Sequence, residues 1–298
     1  MAVMIENGYA LPNPNHARIG WRDVISSASA TSAAPDGAAV NALSWQTYER
    51  WRPTVSPATL TLTFDAQMVE YIAAGAHTLS TADTVELQVR SGATWSTVTT
   101  DLISWPEDNE AIMVLIQPRV INGVRWIVNY SGAAPSIGKV AAGKALTLRR
   151  PFYSGYAPAM LSRNTRRQPS VSEGGEWLGN TIIRQSRSAQ MAWQHIEANW
   201  YRINVDPFVQ HARGNPFFVA WNPARFTDCI YAMMTGDVSP SNMGIRDLME
   251  FSISVDAYSD GTQPWLSKFP PYWIDVYPDI DETASIIDYA LNREWPAP

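Results

Sequence analysis

The side chains able to do chemistry in this chain are few, and none stands in a spacing that chemistry needs. The four histidines, His16, His77, His195 and His211, are far apart. They form no His-x-x-x-His or His-x-Glu pattern, so no metal is expected. His77 closes a run of small residues and reads as a hydrogen-bonded core or rim histidine. A serine nucleophile on a strained elbow would need Gly-x-Ser-x-Gly, and Ser154-Gly155 lacks the leading glycine. Asp275, Asp279, Asp281 and Glu282 make an acidic run, the pattern of a solvated face rather than of a paired acid and base. No glycine loop has the spacing that cradles phosphate. Cys229, the one cysteine, is flanked by Phe226, Ile230 and Tyr231 and reads as a small buried apolar residue. The expectation is therefore no catalytic residue, no cofactor and no enzyme.

Function must then come from surfaces, and composition says which kinds. A charged share of 17% with 46% hydrophobic residues argues against disorder. The net charge of −6 argues against a general affinity for nucleic acid backbone. No run approaches a membrane span, and the N-terminal MAVMIENGYALPNP lacks a signal peptide's basic segment and apolar core. A soluble protein made in the cytoplasm is expected, with neither nucleic acid nor membrane insertion. The 13 Trp and 12 Tyr suit a β-rich protein that binds other proteins or sugars.

The elements that would position such surfaces are strands. Thr59 to Phe64 alternates and is rich in β-branched residues. Val69 to Arg90 reads as two strands across a short polar break, a central hairpin. Its first strand ends in the close-packing Ala73-Ala74-Gly75-Ala76-His77. In its second, Val85, Leu87 and Val89 alternate with Glu86, Gln88 and Arg90, the period of a half-buried strand. Ala111 to Gln117 is almost continuously apolar and reads as buried on both faces. Asn122-Gly123 is a hairpin signal before Val124 to Tyr130. In the second half, Asn215 to Pro223, Cys229 to Met234 and Met249 to Tyr258 read as strands. Ile182 to Ala192 reads as an exposed strand, and Phe208 to Arg213 as one or two helical turns. The expected architecture is all-β. It comprises an N-terminal arm or edge strand (1–20), a sandwich domain (21–150), a second β domain (151–260) and an aromatic, Pro-rich extension (261–298).

The order of elements in the first half resembles the discoidin-type, galactose-binding-like jelly roll. The likeness is carried by Trp51-Arg52-Pro53, by Leu60 to Phe64, and by Val69 to Val89 with Gly92-Ala93-Thr94-Trp95. Arg125-Trp126-Ile127 and Ile137 to Gly143 complete it. The cysteine pair found in many extracellular members is absent, which fits a reducing compartment. Over residues 175–260, the Pro216-Phe217-Phe218-x-x-Trp221-Asn222-Pro223 strand resembles tail-tube-like and distal-tail proteins of long-tailed bacteriophages. So does the closing Met249-Glu250-Phe251-Ser252-Ile253-Ser254-Val255 strand.

Those resemblances imply a structural virion protein of a phage tail tip or baseplate, assembling as a homo-oligomeric ring with other tail proteins. The N-terminal arm, the loop of residues 151–180 and the C-terminal extension are the expected contacts. The alternative is a module that binds host-surface carbohydrate, and after it a glycan-degrading tail enzyme. Discoidin-like sandwiches bind ligands with loops at one end. There Trp45, Tyr48 and Trp51 could stack on a pyranose ring while Arg52 donates hydrogen bonds; the bland reading is that these residues plug the end of the sandwich.

Overall fold

The computed structural model describes residues 3–99, 111–152, 156–159, 161–162, 164–225, 228–244 and 246–259. Ser154-Gly155, the acidic run and the C-terminal extension lie outside these residues. The chain lays down β1 (Val3–Ile5), β2 (Arg18–Gly20), β3 (Ser27–Ala30), β4 (Ala58–His77), β5 (Thr84–Ser91) and β6 (Thr94–Thr99). Next come β7 (Ile112–Asn129), β8 (Ile137–Gly143), β9 (Leu146–Thr147), β10 (Asn164–Val171) and β11 (Trp177–Glu197). The last strands are β12 (Phe217–Ala220), β13 (Cys229–Met234), β14 (Ser241–Asn242) and β15 (Leu248–Ala257). Among the described residues, helical structure is confined to 3-10 turns and a continuous stretch that ends in the helix Asp206–Ala212. The all-β class read from alternation is what the structure shows.

The described strands form two sheets. The first runs β3-β4-β7-β5-β6, with β1 beside β7 and β8 beside β4; the second runs β10-β11-β15-β13-β12-β2-β9, with β14 on β15. β4 and β7 hold the first sheet together, and both are bent. Register shifts interrupt their pairing between Thr63 and Gln67 and between Val69 and Tyr71, where bulges turn a strand. The two ends of each strand consequently share one core. Leu60, Leu62, Ile72 and Ala74 of β4 cluster with Ile112, Val114, Val124 and Trp126 of β7, and with Val85, Leu87 and Val89 of β5. The sheet folds over on itself into a sandwich.

The apolar runs are explained by a second layer. Tyr71 and Ala73 of β4, Met113 and Leu115 of β7 and Ala141 of β8 point the other way. They pack with Phe218 and Ala220 of β12 and with Cys229 and Tyr231 of β13. Small residues let the layers approach: a Cβ on Gly75 would lie 3.1 Å from the Tyr231 ring and 3.2 Å from that of Phe218. The far face of the second sheet is closed by the helical stretch, whose Tyr201, Val205, Phe208 and Val209 pack on Met191, Trp193, Phe217 and Phe251.

Two local expectations are corrected. Val69 to Arg90 is no hairpin, because β7 lies between β4 and β5 and pairs with both. Asn122-Gly123 is no turn: β7 runs through it unbroken, and Gly123 is not among the glycines with positive φ that a two-residue hairpin demands. The Asn122 side chain is instead bound to the neighbouring strand, with Nδ2 donating to Gly92 O (3.1 Å) and Oδ1 accepting from Arg90 Nε (3.2 Å). Residues 1–20, expected to be an arm or an edge strand, supply an edge strand to the first sheet and an inner strand to the second. β1 pairs with β7, and β2 is inserted between β12 and β9.

Candidate binding surfaces

The four aromatic and basic residues proposed for sugar contact lie on the loop between Thr31 and Pro57, and the structure separates them. Trp51 is fully buried (0% exposed) in the sandwich core. Its backbone exchanges hydrogen bonds with Ile137 (2.8 and 3.0 Å), and its indole N–H donates to Ser32 O (3.1 Å). It has no face for a ligand, so a stacking role for Trp51 is corrected to that of a core plug. Trp45 is partly buried between the two halves of the fold. The Lys139 ammonium lies 4.1 Å from its ring centre, the His211 ring meets it edge-on at 6.1 Å, and its carbonyl accepts from Tyr231 Oη (3.2 Å).

Lys139 explains why this loop is fixed. Its side chain is 1% exposed. The ammonium donates to Asp23 Oδ2 (2.6 Å) and Leu43 O (2.9 Å), so a buried charge is both paired and hydrogen-bonded. Beside it Arg50 donates to Tyr258 Oη (2.8 Å) and to Thr47 O (3.1 Å). Lys139 thus holds the loop to the first sheet, and the Arg50–Tyr258 and Tyr231–Trp45 bonds tie it to the second; these links were not legible in the sequence, because the partners lie far along the chain.

Tyr48 and Arg52 face outward. Tyr48 is 75% exposed, its hydroxyl donating to Gln46 Oε1 (3.0 Å). Arg52 contacts both carboxylate oxygens of Asp36 at 2.5 Å, which holds the Asp36 carboxyl below its ordinary range. Gly37 allows this close turn: a Cβ there would lie 2.9 Å from Arg52 Cβ. An exposed ring and an ordered guanidinium–carboxylate pair on one rim loop are groups that can meet a sugar's apolar face and its hydroxyls.

A second surface was only partly foreseen. Arg187 to Glu197 of β11 pair with β15 inside the second sheet, but among the described residues Trp177 to Ser186 pair with β10 alone. At ~3.3 Å per residue this is a two-stranded ribbon roughly 30 Å long. Every described side chain of β10 except that of Thr165 is exposed. So are Trp177 (77%), Leu178 (68%), Ile182 and Ile183 of β11. Leu178 and Ile183 are the extra residues at the two register shifts. Pro169 sits in β10 on the outer edge, where a missing N–H costs no ladder bond.

The remaining candidates are dispersed. His16 Nδ1 lies 2.7 Å from Leu148 O, and His77 is buried at the end of β4 with Nδ1 accepting from Leu79 N–H (3.3 Å). Burial depresses the pKa of His211. Among the described residues, no group of three His, Cys, Asp or Glu side chains is placed to hold a metal, and no helix is long and apolar enough to cross a membrane.

No family model matches the chain, and no curated protein does. Solved structures similar to part of it include carbohydrate-binding modules. A chitosan-binding module from a chitosanase/glucanase of Paenibacillus sp. IK-5 is 18% identical, with 41% of this chain and 99% of that chain covered and a TM-score of 0.37. The family 32 carbohydrate-binding module of Clostridium perfringens NanJ, solved with galactose, is 18% identical over 42% of this chain and 98% of that one, with a TM-score of 0.35. Another C. perfringens module of this kind, solved with GalNAc-β-1,3-galactose, is 16% identical over 40% and 94%, with a TM-score of 0.35.

Proposed function

We propose that this chain works by binding on two fronts: the sandwich recognises carbohydrate at its rim, and the ribbon fastens the chain to neighbouring subunits. The observation that carries the reading is where exposed aromatic and aliphatic side chains collect. Trp177, Leu178, Ile182 and Ile183 stand on a ribbon whose outer strand, among the described residues, pairs only with its own partner. An isolated two-stranded hairpin is at best marginally stable in water, and contiguous exposed apolar side chains mark an interaction surface. The exposed Tyr48 ring and the preordered Arg52–Asp36 pair, both on the loop between Thr31 and Pro57, support the sugar half of the reading. The tail-protein resemblance of residues 175–260 suggests the setting, a phage tail tip or baseplate with the ribbon of one copy laid on the next. Closure by such head-to-tail contacts generates a ring.

The sugar half is tested on a glycan array with the full chain. Galactose-type and amino-sugar ligands should bind, and Tyr48→Ala should weaken binding at least tenfold without loss of fold. An array with no signal above background would remove this half. The assembly half is tested by the mass of the chain in solution and by its co-purification with tail proteins.

A further inference from the structure

On the face of the sandwich turned away from its core, β5, β6 and β7 bring two arginines onto one indole. Arg90 pairs with Trp95 across β5 and β6, and Gln88 pairs with Arg125 across β5 and β7. Val85, Leu87, Val89, Val124 and Trp126 point into the core, so Glu86, Gln88, Arg90 and Arg125 take the opposite face. The guanidinium carbons of Arg125 and Arg90 lie 4.4 Å and 5.5 Å from the centre of the Trp95 ring.

Neutral groups anchor both side chains. Arg125 Nε donates to Gln88 Oε1 (2.6 Å). Arg90 Nε donates to Asn122 Oδ1 and its Nη2 to Asn122 O, both at 3.2 Å. The carboxylate of Glu86 already accepts from Gln88 Nε2 (2.5 Å) and Thr97 Oγ1 (2.7 Å), which keeps it ionised beside Arg125. Among the described residues neither Arg90 nor Arg125 makes an ion pair. Arg90 thus faces no described carboxylate, and Arg125 has only the Glu86 carboxylate near it, which lies beyond ion-pair distance and is bound to Gln88 and Thr97, while the indole and the amide acceptors hold both cations still. A guanidinium takes a carboxylate through two parallel N–H···O bonds, and ordering it beforehand lowers the cost of binding. Gly123, across from Arg90, leaves the room this needs, since a Cβ there would lie 3.3 Å from Arg90 Nε.

We propose that Arg90 and Arg125, held on Trp95, bind the carboxylate of an acidic sugar. The site shares no residue with the Tyr48 rim and does not depend on it. The test is calorimetric titration of the full chain at low salt with a short oligogalacturonate, its uncharged methyl ester and inorganic sulfate. The expected result is that the acid binds at least tenfold more tightly than the ester or sulfate, and that raising the salt weakens it. Arg125→Gln and Arg90→Gln should each cost tenfold or more, while Tyr48→Ala leaves the affinity for the acid unchanged. Equal binding of acid and ester, equal binding of sulfate alone, no binding at all, or retention of affinity in Arg125→Gln would each overturn the proposal. Loss of neutral-sugar binding in Tyr48→Ala bears only on the rim.

Discussion

Trp51 and Tyr48 sit three positions apart on one loop and do opposite things. Trp51 fills the sandwich core and Tyr48 stands in water. Trp51→Ala is expected to destabilise the fold by about 3–5 kcal/mol, as other large core truncations do, whereas Tyr48→Ala should shift stability by no more than about 0.5 kcal/mol. Urea unfolding of the two variants checks this directly. The residue types were legible in the sequence and their directions were not, because Ile137 and Ser32 decide where Trp51 points. His211 gives a pH prediction. Its Nε2 is buried without a partner, between the rings of Trp21 and Trp45, and burial lowers its pKa. The unfolded chain therefore takes up this proton first. The contribution of His211 to stability is whole above about pH 6.5 and is lost as the pH falls through that value toward the folded-state pKa. The urea midpoint should fall between neutral and mildly acidic pH, and His211→Gln should flatten that part of the profile.

At the scale of elements, alternation marked most strands and which side of each is wet, but not which strand lies beside which. β5 showed its half-buried period plainly and still pairs with β7 rather than with β4. Nothing local specifies that choice, since it follows from two long strands bending so that both ends feed one core. The continuous burial of Ile112 to Ile116 was legible as a strand covered on both faces. Its second cover, β12 and β13, comes from the other half of the chain. Gly75 is the position most sensitive to that covering layer. Gly75→Leu should force Tyr231 and Phe218 away from β4 and cost on the order of 1–3 kcal/mol, seen as a lower melting temperature with the β-sheet circular dichroism retained. A replacement at this position that leaves the melting temperature unchanged would show that the layers are looser than their 3.1 Å approach implies.

For the whole molecule, the bonds of Arg50 to Tyr258 and of Tyr231 to the Trp45 carbonyl, with the interleaving of β2 and β9, tie the sandwich to the second sheet. Lys139→Ala leaves the Asp23 carboxylate facing a gap and should cost about 3–5 kcal/mol, measured by the same urea unfolding. The ribbon is the opposite case: an element with a regular ladder and exposed apolar side chains, whose burial no part of the described chain supplies. Its strands were legible as an exposed strand and a turn-rich loop. Its length was not, because a ribbon and a loop differ only in pairing. The most direct measurement is sedimentation velocity of the full chain over a hundredfold range of concentration, beside Trp177→Ser/Leu178→Ser. The account predicts that the unaltered chain associates as concentration rises and that the double variant stays at the mass of one chain. If both remain monomers throughout, with the same shape and stability, the ribbon is not an assembly arm.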